Sequence, residues 1–169
     1  ILTSTLASTD PTCFGKCNGL ASVSIAGGNG NYTYLWDDSN SQTNAIATGL
    51  CSGTYSVLII DSLGCQATDT ITLSEPPSLS VSMISVNSNC GVSNGLATAT
   101  ILGGVQPYTF SWSNGATSTS VNNLCSGLNT VTITDVQGCQ TTSSLNISEP
   151  NPITVTDSVF NVGCNGENT

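Results

Sequence analysis

A chain of 169 residues with a single Lys or Arg, ten Asp or Glu and no His carries a net charge of −9. That balance excludes nucleic acid as a partner, because phosphates need cations to neutralise them, and it leaves no polybasic patch for a membrane surface. With no His, no Arg and Lys16 as the only basic residue, acid–base and nucleophilic machinery is nearly absent, so the chain is not read as an enzyme and no cofactor is expected.

No apolar run is long enough to cross a bilayer and no signal peptide opens the chain, so direct membrane insertion is not expected. The chain begins and ends inside a repeat pattern and reads as part of something longer. The stretch 50–76, from Leu50-Cys51-Ser52-Gly53 through Gly64-Cys65-Gln66 to Ser74-Glu75-Pro76, returns at 124–150 with every marker 74 positions later. Upstream, Asn18-Gly19-Leu20-Ala21 recurs as Asn94-Gly95-Leu96-Ala97, 76 positions on. Repetition at a fixed period decides architecture before any single motif does. Two units are expected, 1–76 and 77–150, and 151–169 starts a third, with Ile153 and Val155 matching Leu79 and Val81. Units of this size sit near the lower limit for an independent core and commonly need staples. Eight cysteines, most at matching positions, suit a disulfide framework in an oxidising compartment better than a metal site.

Taken in chain order, no segment has apolar residues at helical spacing. Short runs alternate with period two between Gly, Asn and Pro breaks, the pattern of half-buried antiparallel strands. The first strand of the second unit, 79–86, begins Leu79, Val81, Met83 and then changes phase to Ile84 and Val86, which predicts a bulge or a switch of sheet. The second strand carries Ala21, Val23 and Ile25, answered by Ala97, Ala99 and Ile101. Gly27-Gly28 and Gly103-Gly104 turn the chain. A third strand points Tyr32, Tyr34 and Trp36 inward, as do Tyr108, Phe110 and Trp112. A tight hairpin at Ser113-Asn114-Gly115 should follow, then a short strand ending at Leu50 or Leu124.

In the next strand the two copies discriminate the faces. Val57 and Ile59 persist as Val131 and Ile133, whereas Leu58 and Ile60 become Thr132 and Thr134, so the first pair faces the core. The expected core is therefore Tyr34, Trp36, Val57, Ile59, Phe110, Trp112, Val131 and Ile133. Asp61 to Gly64 and Asp135 to Gly138 have Asp first and Gly fourth, a type I turn signature. A last strand runs to Glu75-Pro76 or Glu149-Pro150. The expected fold is all-β: tandem immunoglobulin-like sandwiches of about seven short strands each.

The ordered markers Cys13-Phe14-Gly15-Lys16-Cys17-Asn18-Gly19, Gly27-Gly28 with Tyr32 to Trp36, Gly49 to Tyr55, Asp61 to Cys65 and Ser74-Glu75-Pro76 resemble the SprB repeat. The likeness covers essentially the whole chain twice, with a third start. The resemblance implies a module similar to PKD-type immunoglobulin-like domains. It also implies a stalk or filament in the giant surface adhesins of gliding motility in Bacteroidota, exported by the type IX pathway. In the second unit Gly91-Val92-Ser93 stands where the first has Phe14-Gly15-Lys16-Cys17, one cysteine fewer.

Seven alternating strands place Cys13, Cys17 and Cys51 at the distal end of the first unit and Cys65 at its proximal end. Strands of about ten residues separate those ends by roughly 30 Å, while a disulfide needs Cα atoms within about 7 Å. The favoured scheme pairs Cys17 with Cys51 and Cys90 with Cys125, and joins the units through Cys13 and Cys139. Cys65 and Cys164 are then left for flanking units. Removing the hairpin after Trp36 leaves six strands and favours closure within units, Cys13–Cys65 and Cys90–Cys139, which strands Cys125.

Other readings are bland. Asp37 and Asp38 are the one adjacent carboxylate pair, replaced by Ser113 and Asn114, and a solvated turn accounts for them. No metal is expected. Asp37, Asp38, Asp61 and Asp69 would be the oxygen ligands if calcium bound, yet Asp69 becomes Ser143. Tyr32, Tyr34 and Trp36 would stack a sugar only if they faced outward. Asp61-Ser62-Leu63, Asp69-Thr70-Ile71 and Asp157-Ser158-Val159 are three-residue patterns similar to O-glycosylation sites of the same bacteria. The expected function is an extracellular, force-bearing stalk segment whose partners are neighbouring repeats and, through the whole adhesin, polysaccharide or other surfaces. The alternative is a secreted ligand-binding module for glycan or calcium.

Overall fold

A computed structural model describes residues 1–89 and 91–157. Among them are twelve strands and no helix. The first six are β1 (Leu2–Thr9), β2 (Gly19–Gly27), β3 (Thr33–Trp36), β4 (Ile46–Leu50), β5 (Gly53–Ile60) and β6 (Gln66–Leu73). The second six repeat them as β7 (Ser80–Val86), β8 (Gly95–Leu102), β9 (Thr109–Trp112), β10 (Ser120–Leu124), β11 (Gly127–Thr134) and β12 (Gln140–Ile147).

Each set makes two three-stranded antiparallel sheets, β1-β2-β4 with β3-β5-β6, and β7-β8-β10 with β9-β11-β12. In immunoglobulin lettering these are A-B-E and C-F-G, the seven-strand sandwich without its D strand. About seven strands per unit is therefore corrected to six. A tight turn does follow Trp112, whose N–H donates to the Ala116 carbonyl while Gly115 N–H donates to that of Trp112; after Trp36 the loop is wider, Trp36 N–H reaching the Gln42 carbonyl. No return strand forms after either. The chain crosses directly to the other sheet, where Ala45 and Thr119 carbonyls accept from Val23 and Ala99.

The loss of strand D does not flip the ends of the unit. β4 runs antiparallel to β2 and β3 antiparallel to β5, and only Cys51 and Ser52 separate β4 from β5. β3 and β4 hence point the same way, as one ascending strand that changes sheets halfway. The premise that six strands would carry the cysteines to new ends is corrected here, because parity depends on direction and not on strand count.

Each sandwich has its own core, and the two cores correspond position by position. Ala21, Val23, Trp36, Ala47, Leu50, Val57, Ile59 and Leu73 fill the first. Ala97, Ala99, Trp112, Val121, Leu124, Val131, Ile133 and Ile147 fill the second. The one aromatic among the buried residues of each cluster is the Trp on strand C. Its buried indole N–H is satisfied by a carbonyl of the crossing segment, Asn44 at 2.9 Å and Ser118 at 2.8 Å. Tyr32, Tyr34 and Phe110 pack against the cores but remain partly exposed.

The Asn-Gly-Leu-Ala motif has a packing reason. A Cβ on Gly19 would stand 2.6 Å from Leu73 Cδ2 and 2.9 Å from the Leu50 carbonyl oxygen. On Gly95 it would meet Ile147 Cγ2 at 2.8 Å and the Leu124 carbonyl at 2.9 Å. Only Gly lets β2 or β8 start that close to the ends of two other strands.

The expected bulge in 79–86 is absent. β7 pairs with β8 without interruption from Ser80 opposite Leu102 to Val86 opposite Leu96. Ile84 and Val86 simply point outward, 72% and 60% exposed. β7 lies at a sheet edge, where the last residues of a strand need not meet a core. Residues 151–157 form no strand, with Ile153 and Val155 exposed. The rest of the expected third unit, 158–169, lies outside the described residues.

Candidate functional site

The candidate site is the junction between the units, built from the distal loop of the first and the proximal turns of the second. The distal loop 10–18 is held by short polar links. Thr12 N–H donates to Asn18 Oδ1 at 3.1 Å, and Asn18 Nδ2 donates back to Thr12 Oγ1 at 2.9 Å. Lys16 N–H closes a turn onto the Cys13 carbonyl. Asp10 accepts the Ser74 N–H at 3.0 Å and its hydroxyl at 2.7 Å, while Glu75 Oε2 accepts the Gly15 N–H at 2.6 Å. The Ser-Glu-Pro motif thus ties the exit linker to the loop that presents Cys13. Cys17 and Cys51 form a disulfide across the same end, Cα atoms 3.9 Å apart.

The proximal end is organised by one Asp per unit. Asp61 is buried; it accepts N–H bonds from Leu63 (3.0 Å) and Cys65 (2.8 Å) in its own turn and from Asn29 (3.1 Å) in the opposite loop. Asp135 repeats this with Gln137, Cys139 and Val105, each at 2.9 Å. Those amides, Asn29 first, hold the Asp61 carboxyl below the ordinary carboxylate range. Gly28 and Gly104 have positive φ, 67° and 63°, and a Cβ there would crowd Leu2 and Asp61, or Leu79 and Asp135. Each Asp is therefore a clamp between two loops as well as the first residue of a turn.

Across the junction, Cys13 and Cys139 form a disulfide with Cα atoms 5.7 Å apart and a sequence separation of 126. Cys139 Sγ lies 3.3 Å from the Thr12 carbonyl oxygen. An open cleft of about 400 Å³ flanks the bridge, lined by Phe14 and Lys16 on one side and by Ser78, Leu79 and Gln140 on the other. A second, of about 410 Å³, runs between Pro11, Glu75 and Pro76 of the first unit and Val105 and Gln137 of the second. A loop closed by 126 residues would cost the unlinked chain roughly 5 kcal/mol in entropy, and the 34-residue loop of Cys17–Cys51 roughly 3–4 kcal/mol.

The remaining site residues lie apart from the junction or in single-purpose roles. Cys65 is an exposed thiol at the proximal end of the first unit, and Cys125 an exposed thiol at the distal end of the second. The expected Cys90–Cys125 pair falls on Cys90, outside the described residues. Cys125 Sγ stands 3.2 Å from Ser93 Oγ. Asp37 accepts the Ser56 hydroxyl at 2.7 Å and its N–H at 2.8 Å, which lowers its pKa. Burial pushes the Asp38 carboxyl up, but the Gln42 and Asn40 donors outweigh it and the net shift is down. Asp69 bonds Ser4 at 3.1 Å and the Thr70 N–H at 2.9 Å. No group of three or more Cys, Asp or Glu with metal-site geometry occurs among the described residues. The calcium candidates are spread over the loop after β3 (Asp37, Asp38), the turn after β5 (Asp61) and strand β6 (Asp69), each engaged with amide or hydroxyl donors. Of the sugar-stacking candidates, Trp36 is buried, while Tyr32, whose hydroxyl is bonded to the Gly27 carbonyl at 2.6 Å, and Tyr34 pack against the core.

Sequence reasoning passed over Asp10 and Glu75, whose partners lie 64 and 60 positions away. The recurrence of Ser-Glu-Pro was the available signal, but it reads as a hinge until the acceptor and donor are seen together. No helix among the described residues is long and apolar enough to cross a membrane.

With this geometry in hand, residues 5–41 and 82–117 match the SprB repeat family. One match falls in each sandwich, so both units are similar to the SprB repeat. The matched segments run from within the first strand of each unit to just beyond the C-strand Trp, taking in Cys13, Cys17 and the Asn-Gly-Leu-Ala motif. No curated protein is significantly similar to the chain. Among solved structures, murine CEACAM1b is similar at 11% identity over 88% of this chain and all of that one, with a TM-score of 0.34. Dpr11 IG1 bound to DIP-gamma IG+IG2 is similar at 13% identity over 82% and 92%, with a TM-score of 0.33. The immunoglobulin-like architecture is carried by the A-B-E and C-F-G sheets themselves.

Proposed function

We propose that the chain is a stalk segment of a very large cell-surface adhesin of the gliding-motility type, built to carry tension between an adhesive region and the cell. In this reading residues 1–76 and 77–150 are successive repeats, 151–169 opens another, and export is by the type IX route. Its partners are neighbouring repeats, and polysaccharide or other surfaces meet the adhesin as a whole. It performs no catalysis. The observation that carries the reading is the Cys13–Cys139 bridge, which makes the contact between consecutive units covalent. A secreted domain stabilising only itself gains nothing from joining the next, whereas a tether loses length wherever a linker can stretch. Repeats that contact only their neighbours suit a rod, and the Pro76-Pro77 linker resists bending.

Stretching single molecules from their two ends tests this. With disulfides intact, the 126 residues spanned by the bridge stay closed at any force that leaves covalent bonds whole. Reductant then adds up to about 440 Å of contour, at roughly 3.5 Å per residue. Equal lengths with and without reductant overturn the load-bearing reading. Saturable binding of glycans or calcium by the isolated chain would favour a ligand-binding module instead.

A further inference from the structure

Building on the stalk reading, we propose that the proximal face of the first unit, centred on Cys65, is a docking surface for the distal loop of a like unit joined ahead of Ile1. A disulfide from the Cys13-type residue of that loop to Cys65 would close it.

The Cys13–Cys139 junction shows what such a face does when covered. Cys139 follows a turn in which Gly138 N–H donates to Asp135 O, Asp135 N–H to Cys139 O and Cys139 N–H to Asp135 Oδ1. Cys65 follows the same turn with the same three bonds, Gly64 to Asp61, Asp61 to Cys65 and Cys65 to Asp61 Oδ1. The surface that meets Cys13 and Phe14 is Ser78, Leu79, Gly138, Cys139 and Gln140. Its counterparts are Ile1, Leu2, Gly64, Cys65 and Gln66, four of the five unchanged. The equivalence of Ile1 with Ser78 is structural: a Cβ on Gly27 would strike the Ile1 carbonyl as one on Gly103 would strike that of Ser78. Ser78 is where the Ser74–Pro77 linker delivers the chain, so a unit joined ahead of Ile1 would bring its own distal loop to Cys65.

Composition points the same way. Leu63 occupies the place of Gln137, which lines the covered second cleft beside Pro11 and Pro76. Ile1 and Leu63 are 107% and 73% exposed. Asn29 stands where Val105 lines that cleft, so the uncovered face keeps one apolar and one polar residue opposite the places of Pro11 and Pro76, with the two exchanged.

Bond formation consumes two thiols and releases two protons and two electrons. The acceptor is a disulfide oxidant, oxidised glutathione or a thiol–disulfide oxidoreductase, which leaves as two thiols. With Cys65 linked, the covalent path through the unit enters at Cys65, leaves β5 at Cys51, crosses to Cys17 and exits at Cys13. It uses 14 residues from Cys51 to Cys65 and four from Cys13 to Cys17, so the unit could lengthen to no more than about 60 Å.

The test prepends to the full chain a copy of residues 1–77 carrying Cys65→Ser, so that one Cys65 remains, and Lys16→Arg, which marks the added loop by mass; it then allows oxidation with oxidised glutathione and digests without reduction. We expect a peptide joining the added Cys13 to Cys65, and at least a ten-fold fall in Cys65 alkylation relative to the unextended chain. Changing the added Cys13 to Ser should restore that alkylation. Cys65 remaining fully alkylated while the added unit shows its own Cys17–Cys51 peptide overturns the inference, as does protection that survives the Ser change. An independent measurement needs no added domain. The loop peptide 10–16, presented as its mixed disulfide with glutathione, should exchange onto Cys65 at least ten times faster than onto Cys125, and equal rates overturn the proposal. Free Cys65 beside an intact Cys13–Cys139 peptide leaves the stalk reading standing, whereas absence of both peptides removes its basis.

Discussion

Ser93 faces Cys125 in the second unit, Oγ to Sγ at 3.2 Å, in the place where Cys17 is bonded to Cys51 in the first. The two Asn-Gly-Leu-Ala motifs align Ser93 with Cys17, so the second repeat has kept one half of a staple. Substitution Ser93→Cys should therefore form a disulfide to Cys125 on oxidation without moving the backbone. Closing a loop of this length is worth roughly 3–4 kcal/mol. Thermal unfolding with and without reductant checks it: the variant's second transition should rise only when oxidised. An unchanged midpoint with the new thiol still free would contradict the alignment.

The starts of β2 and β8 supply a steric prediction. Gly19→Ala and Gly95→Ala each place a methyl within 3 Å of a backbone carbonyl and a core side chain. Overpacking of this kind costs about 1–3 kcal/mol, several degrees in midpoint for a unit of this size. Denaturant melts of the two variants should each lower one transition. Gly15→Ala and Gly91→Ala have open space around the added methyl and positive φ, so they separate backbone strain from crowding and should cost less.

Acid should weaken the first unit before the second. Asp37 and Asp38 have lowered folded-state pKa values, and the second unit has Ser113 and Asn114 in their places. A depressed carboxylate binds fewer protons folded than unfolded, so its contribution is present above the unfolded value of about 3.9 and is lost as pH falls through the folded value. Stability should be flat from neutrality to about pH 5 and decline below about pH 4. In the second unit Ser113 replaces Asp37 and keeps its bond to the next strand through an uncharged hydroxyl, 3.2 Å from the Thr130 N–H. Hydrogen exchange resolved by unit, run from neutral pH into the acid range, should show β3 and β5 losing protection ahead of β9 and β11. The reverse order would contradict the assignment.

A left-handed position distinguishes the copies at the end of strand E. Gly49 and Asn123 both have positive φ, 69° and 59°, within register shifts where β4 and β10 meet β2 and β8. Asn tolerates this conformation, while a β-branched residue does not. Asn123→Gly should be near neutral, and Asn123→Val should cost about 1–2 kcal/mol. Urea melts of the two variants measure the difference, and equal stability of the Gly and Val forms would remove the argument.

Much of the architecture can be read by comparing the repeats, because drift marks the outer face. Leu58 becomes Thr132 while Val57 stays Val131, and that contrast alone identifies the inner face of β5. The cysteine ends are legible for a different reason, since strand direction constrains them more tightly than strand identity. What is not legible depends on contacts distant in sequence. Nothing local announces that the turn after Trp112 lacks a return strand, because a tight turn serves a hairpin and a sheet crossing equally well. The phase change at Ile84 reads as a bulge only if every apolar residue must be buried, and an edge strand relaxes that demand. Asp10, Glu75 and the loop-to-loop reach of Asp61 are invisible for the same reason: a carboxylate's donors are known only once the chain has folded back.

Disulfide mapping of the unreduced chain reads the covalent join between consecutive units with neither an added domain nor applied force. Lys16 is the only basic residue, so a protease other than trypsin is required. One peptide pair should link Cys13 to Cys139 and another Cys17 to Cys51. Recovery of Cys13 linked to Cys65 would contradict it, because those residues sit at opposite ends of one sandwich, and the chain would then be a string of separately closed units.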